Sequence, residues 1–418
     1  MKLKLKIFIG FILMMMMSCS EKQEKKALTA KDILGNSEYT AISYGGYRAV
    51  TRDVQPTIEE LKEDMKLLNA MGIKLLRTYN VHLDQASNLL KAISELKQED
   101  STFEMYVMLG AWIDCKNAFT ELVPDHNLES ERNPKEIATA VKLANQYPDI
   151  VKVLAVGNEA MVRWATSYFV QPSVILKYVN QLQDLKQKGE LPKDLWITCS
   201  DDYVSWGGGD SSYHTTDLEA LVKAVDYVSM HTYPMHNSYY NPQFWVVPEN
   251  EQALSDEEKI EKALIRAVDF AKKQFNNVSS YVKSIDSTKT IHIGESGWTT
   301  FANHHYGDDG SRAADEYKAG TYYNLMREWT NKENISLFYF EAFDEQWKDA
   351  ANPQGSENHF GLINLKGEAK YAIWNLIDKG IFEDLTRDGN PITKSFNGDK
   401  DALKKFVLVP PTEMLKVE

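Results

Sequence analysis

From Tyr39 onward, short apolar runs rich in β-branched and aromatic residues alternate with longer stretches in which apolar residues recur every three to four positions. The first pattern predicts half- or fully buried strands and the second amphipathic helices. Strands are predicted over residues 39–47, 73–79, 104–112, 150–156, 195–200, 227–233, 290–293 and 335–343. Between strands one and two a helix starts at Thr57, where Thr57 and Glu60 form a capping box. Leu61, Met65 and Leu68 line one face of it, and Gly72 stands at the C′ position. Further helices are predicted over 85–97, after Pro134, and over 173–188, 217–225, 256–285 (broken near Asn276 and Asn277), 313–330 and 368–381.

Strands that alternate with helices demand a parallel sheet covered by helices. Eight such units over roughly 345 residues fit a closed (β/α)8 barrel, an α/β fold, better than an open doubly wound sheet. An open sheet of the dinucleotide-binding kind would carry a glycine-rich phosphate turn after strand one, and Tyr44-Gly45-Gly46-Tyr47 lacks that spacing. The expected organisation is a signal peptide over 1–18, a tether over 19–34, a barrel over 35–385 and an appendage packed on it over 386–418.

The N-terminus adds a location. Lys2, Lys4 and Lys6 precede an apolar run of eleven residues, Ile7 to Met17, followed by Ser18 and Cys19. The run is too short to span a bilayer, so it reads as a signal peptide. Cys19 directly after it resembles the lipidated cysteine of a bacterial lipoprotein, with Met16 where Leu is usual. The expectation is an exported protein on the outer membrane or cell surface, tied to membrane only through lipid on Cys19. Cys115 and Cys199 alone remain, too few for a disulfide framework, and both are expected as buried free thiols. A net charge of −13 makes nucleic acid and anionic lipid poor partners. Aromatic residues reach 11%, with nine Trp and 21 Tyr, which suits either a large core or stacking against sugar rings.

Barrel active sites form at the C-terminal ends of the strands, so the informative residues are the polar ones that follow each apolar run. Strand four ends in Gly157-Asn158-Glu159 and strand seven in Gly294-Glu295-Ser296-Gly297-Trp298. Each places a glutamate at a strand tip behind a glycine that admits close neighbours. Two carboxyls facing one another across a barrel mouth suit glycosidic bond cleavage, in which one protonates the leaving oxygen and the other attacks the anomeric carbon. No H-E-x-x-H or paired ligand spacing exists, so neither a metal nor another cofactor is expected.

Val156-Gly157-Asn158-Glu159 and Ile293-Gly294-Glu295-Ser296-Gly297-Trp298 resemble the acid/base and nucleophile signatures of glycoside hydrolase family 17, the β-1,3-glucanases. The stretch from Tyr339 to Lys348 resembles the family's strand-eight motif. The resemblance implies Glu159 as general acid/base and Glu295 as nucleophile of a retaining enzyme. It implies that Asn158 bonds a sugar 2-hydroxyl, that Arg77 is a cation beside the nucleophile, and that Tyr233 hydrogen-bonds the nucleophile. Glu341 and Lys348 resemble sugar-contacting residues of strand eight, and Trp298 and Trp347 are candidate stacking platforms. Tyr44 and Tyr79, on strands one and two, complete the expected sugar site. Thr299 and Gln346 stand where Pro is common in the family and Gly294 where its plant members carry Ser, departures that bear on loop shape.

The expectation is therefore a monomeric, endo-acting β-1,3-glucan hydrolase that takes laminarin-like polysaccharide or its oligosaccharides. Two alternatives stay open at this level: a transglycosylase using the same carboxyls, and a non-catalytic glucan-binding lipoprotein.

Overall fold

A computed structural model describes residues 28–413. The leader, Cys19 and most of the tether lie outside the described residues, so the lipoprotein expectation finds no structural counterpart.

Eight parallel strands close into a barrel in sequential order. They are β1 (Thr40–Ser43), β2 (Ile73–Arg77), β3 (Tyr106–Ala111), β4 (Val151–Asn158), β5 (Trp196–Asp202), β6 (Val228–His231), β7 (Ile291–Gly297) and β8 (Leu337–Phe340). The pairing of Ile42 with Tyr339 closes the ring. The main outer helices are α1 (Ile58–Ala70), α2 (Asp84–Glu99), α3 (Asn133–Gln146), α4 (Pro172–Lys188), α5 (Thr216–Ala224), α6 (Asp256–Ile285) and α7 (Glu316–Lys332). Thr57 and Glu60 form the capping box of α1, and Gly72 takes the positive φ that ends it.

Alternation along the strands divides the apolar residues into two cores. Inward positions such as Ala41, Leu75, Met108, Val153 and Phe338 fill the barrel, and Ala30, Ile33 and Leu34 from the N-terminal segment join them. Outward positions such as Ile42, Leu76, Leu109, Leu154, Ile197 and Met230 pack under the helices. Cys115 and Cys199 are free and buried.

Two expected elements differ. α6 runs unbroken for 30 residues through Asn276 and Asn277. The buried stripe continues through Val278 and Val282, and the Asn277 side chain donates to Gly208 O at 3.2 Å, so tertiary packing overrides the weak local helix preference. The closing helix predicted over 368–381 is largely absent. Glu368–Ala369 pairs instead with Thr393–Lys394, and only Trp374–Asp378 is α-helical. A partner strand 25 residues downstream leaves no trace in local periodicity. The C-terminal segment is tied to α1 through Arg387, whose Nε donates to buried Asp64 at 2.9 Å.

Candidate active site

Strand register assembles the site. Asn158 on β4 pairs with Ser200 on β5, and His231 on β6 pairs with Glu295 on β7. A register shift lies between Met230 and His231, where Gly294 is the extra residue on β7. Before it, His292 faces the barrel against Tyr227 and Ile293 packs under the helices. Strict alternation would then turn residue 295 outward, but the bulge turns Glu295 in. Gly294 is required there: a Cβ would lie 2.2 Å from Ser229 Oγ and 2.4 Å from Ser200 Oγ. At the tip of β4, Glu159 adopts φ 44°, a left-handed conformation uncommon outside glycine, and its N–H donates to Ser200 O at 3.0 Å.

One oxygen of Glu159, one of Glu295 and a ring nitrogen of His231 all lie within 4.8 Å of one another. His231 Nδ1 is 2.9 Å from Glu159 Oε1 and 3.6 Å from Glu295 Oε2. Its Nε2 is 2.8 Å from Ser200 Oγ, which itself contacts Ser229 Oγ at 2.9 Å. Arg77 donates from Nη1 to Glu295 Oε1 and to Gly294 O, and from Nη2 to Asn158 Oδ1. Tyr233 donates to Glu295 Oε2 at 2.8 Å.

These surroundings separate the two carboxyls electrostatically. Burial, reinforced by the negative charge of Glu295, pushes Glu159 up to about 8, against the opposing pull of Arg77. Burial acts upward on Glu295 too. The His231 ring, the Arg77 guanidinium and the hydroxyls of Tyr233 and Tyr79 outweigh it and hold the carboxyl below its ordinary value. Burial depresses His231 to about 4, so the ring is neutral near pH 7 and Arg77 is the lasting cation. Glu159, His231 and Glu295 are also of the type that ligates a metal ion, but an ion there would sit beside the Arg77 guanidinium already bound to Glu295.

The pair opens into a cleft of about 1650 Å³, larger than the roughly 300–1,000 Å³ that encloses a small ligand and suited to a polymer chain. Tyr44, Tyr79, Asn158, Tyr233, Trp347 and Lys348 line it together with Glu159 and Glu295. Trp347 meets Tyr47 edge-on at 5.8 Å and carries Arg52 over its ring at 4.2 Å.

Three expected sugar contacts are placed differently. Trp298 is 0% exposed, donates to Ala313 O and packs on Trp245 and Tyr322. Counting from inward Glu295, positions 296 and 298 point outward, and Ser296 does reach Tyr322 on α7. Trp298 is a core residue, not a platform. Glu341 is buried and pairs with Lys348, so it holds that lysine rather than facing the cleft. Tyr44 borders the cleft, but its hydroxyl donates to Asp64 at 3.0 Å beneath it, which turns its polar end away from a sugar. Arg77 lies under Glu295 and outside the lining, a partner of the carboxyl rather than of a ligand.

Two residues of this site escaped the sequence reading. His231 stands at the tip of strand six, where the same strand-tip rule would have flagged it. Glu345 is buried and accepts the Tyr47 N–H and the Trp347 indole N–H, both at 2.9 Å, a role that no local pattern signals.

A parallel eight-stranded barrel with paired glutamates at the tips of β4 and β7 defines the class: a (β/α)8-barrel glycoside hydrolase. Residues 41–361 match the BtgE/BtgC glycoside hydrolase domain, and the chain belongs to that family. It is similar to an endo-laminarinase from Formosa Hel1_33_131, with 62% identity, a TM-score of 0.92, and coverage of 94% of this chain and all of the other. A family 17 β-1,3-glucanosyltransferase from Rhizomucor miehei shares the fold at 21% identity and TM-score 0.54, over 81% of this chain and 97% of that one. The probable glucan endo-1,3-β-glucosidase btgC of Aspergillus terreus is 23% identical over 75% of this chain; the match spans 42% of that longer protein.

Proposed function

We propose that this protein hydrolyses β-1,3-glucan of the laminarin type, cutting within the chain and retaining anomeric configuration. The observation that carries the stereochemistry is the approach of the two carboxyls. An oxygen of each carboxyl lies within 4.8 Å of one of the other's, an approach that fits the roughly 5–5.5 Å separation of retaining pairs better than the about 6.5–9.5 Å of inverting ones. The substrate rests on the family, on the 62% identical endo-laminarinase and on a cleft lined by aromatic rings.

In the first step Glu295, ionised beside Arg77, attacks the anomeric carbon while Glu159 gives its proton to the glycosidic oxygen, and the leaving chain departs as an alcohol. In the second, Glu159 takes a proton from water as that water attacks the same carbon, releasing Glu295 and restoring the acid. Asn158, its carbonyl held by Arg77, keeps its amide N–H groups for the 2-hydroxyl of the reacting sugar. The signal peptide expected over 1–18, with Cys19 after it, supports export and a lipid anchor, which loss of membrane association in a Cys19→Ala variant would test.

Proton NMR of the first product released from a laminari-oligosaccharide tests the mechanism. The β-anomer is expected first; the α-anomer would refute retention. Sizing the same products over time tests the reaction: oligomers longer than the substrate would identify transfer to sugar in place of hydrolysis, and no turnover would favour the non-catalytic binder.

A further inference from the structure

The cleft has a wall that neither the carboxyl pair nor the strand-eight residues account for. Between β3 and α3 the chain makes a small antiparallel hairpin, Cys115–Lys116 with Asp125–Glu129. This hairpin is laced to the loop that follows Glu159: Cys115 N–H donates to Tyr168 O at 3.1 Å and Phe119 N–H to Ser167 O at 3.3 Å. The two segments bring three rings together. Phe119 stacks on Tyr168 with centroids 5.3 Å apart at 24°, and Trp112 at the tip of β3 lies 5.6 Å from Tyr168.

Phe119 and Trp164 are 58% and 67% exposed, yet they line the same cleft as Glu159 and Glu295. Phe119 also holds φ 56°, an uncommon conformation for a bulky residue, which keeps its ring on Tyr168 at the rim. Single exposed aromatics need no explanation. Two exposed rings on one cleft wall, one of them backed by Tyr168 and Trp112, do.

We infer that Trp112, Phe119 and Trp164 form the subsite for the leaving-group side of the glucan chain, stacking on the sugar units released when Glu159 gives up its proton. The side follows from the chemistry. The acid must touch the glycosidic oxygen, so the departing sugar lies on the Glu159 side of the cleft, and the loop bearing Trp164 and Tyr168, bonded to the hairpin, follows Glu159 directly in the chain. A pyranose presents an apolar face of C–H groups that an aromatic ring covers. This inference rests on the glucanase reading above. It deepens that reading by making turnover of long chains depend on residues outside the carboxyl pair, and it gives the enzyme a place to hold an acceptor sugar.

The test compares two substrates on one variant. Laminarihexaose fills both sides of the cleft, whereas 4-nitrophenyl β-laminaribioside fills the glycone side and leaves as nitrophenolate. In a Phe119→Ala/Trp164→Ala variant the ratio of kcat/KM for the hexaose to that for the aryl glycoside is expected to fall about tenfold, with most of the change in KM for the hexaose. A Phe119→Tyr/Trp164→Phe variant, which keeps both rings, is expected to retain the wild-type ratio. An unchanged ratio in the alanine variant would overturn the subsite, as would parallel losses on both substrates. Wild-type enzyme inactive on both substrates would refute the glucanase function itself, and the subsite with it.

Discussion

The tips of β4 and β7 carry the same residue type in opposite states. Glu295 is 5% exposed and held by Arg77, Tyr233 and the bulge at Gly294. Glu159 is partly open to the cleft, meets only the neutral His231 at close range and feels the charge of Glu295. Burial acts upward on both carboxyls, so burial alone would make both acids. What offsets burial at Glu295 is the His231 ring, the Arg77 guanidinium and two tyrosine hydroxyls, of which only Arg77 also pulls, and too weakly, on Glu159. In the proposed mechanism this imbalance of cations and donors suits Glu295 to the nucleophile's part and Glu159 to the acid's.

Replacing the nucleophile is the severest test of that contrast. Glu295→Gln is expected to lower kcat on laminarin about 10⁴-fold or more, measured by reducing-end release, and retained turnover would dissolve the assignment. Glu159→Gln is expected to cost about 10²–10⁴-fold on laminarin. It should cost far less on a 4-nitrophenyl glycoside, whose leaving group needs no proton; equal losses would mean Glu159 is not the acid. Arg77→Met removes the cation that separates the pair. A loss of about 10²-fold in kcat/KM is expected, with the acidic limb of the pH profile moving up as Glu295 loses its stabilising charge.

The wild-type pH profile reads both carboxyls at once. Glu159 must hold its proton to donate it, so activity is expected to fall as pH rises through about 8. Glu295 must be ionised to attack, so the acidic limb is expected below the ordinary glutamate value. A profile with both limbs in the ordinary carboxylate range would contradict the separation. Tyr233→Phe is the mildest change: about a tenfold loss in kcat/KM and a small upward move of the acidic limb, with the basic limb in place.

The barrel was legible because each strand is a short apolar run and the outer helices up to α7, apart from the break expected in α6, show their period locally. An apolar run and a 3.6 period are both visible in a window of about ten residues, and Thr57 with Glu60 marks a helix start. Glu159 and Glu295 were legible because each follows an apolar run in a fold that builds its site at strand ends. Trp298 faces outward, as counting three residues past Glu295 gives. A place in the motif beside Glu295 carries no information about the side of the strand a residue takes. The closing segment misled for a different reason, since Glu368–Ala369 is a strand only because Thr393–Lys394 lies beside it.

By itself the sequence determined the alternating elements, the barrel they imply and the two glutamates at strand tips, to which the family resemblance added Arg77, Asn158 and Tyr233. Those features depend on residues close together in the chain or on the common rule that strand tips gather at one end. The tertiary structure alone decided which way the side chains turn and how each glutamate is charged. The bulge at Gly294 points Glu295 inward, where plain alternation would have faced it out. Arg77 reaches Glu295 across 218 positions of sequence, and electrostatic energy depends on distance in space, which strand register sets and local pattern does not.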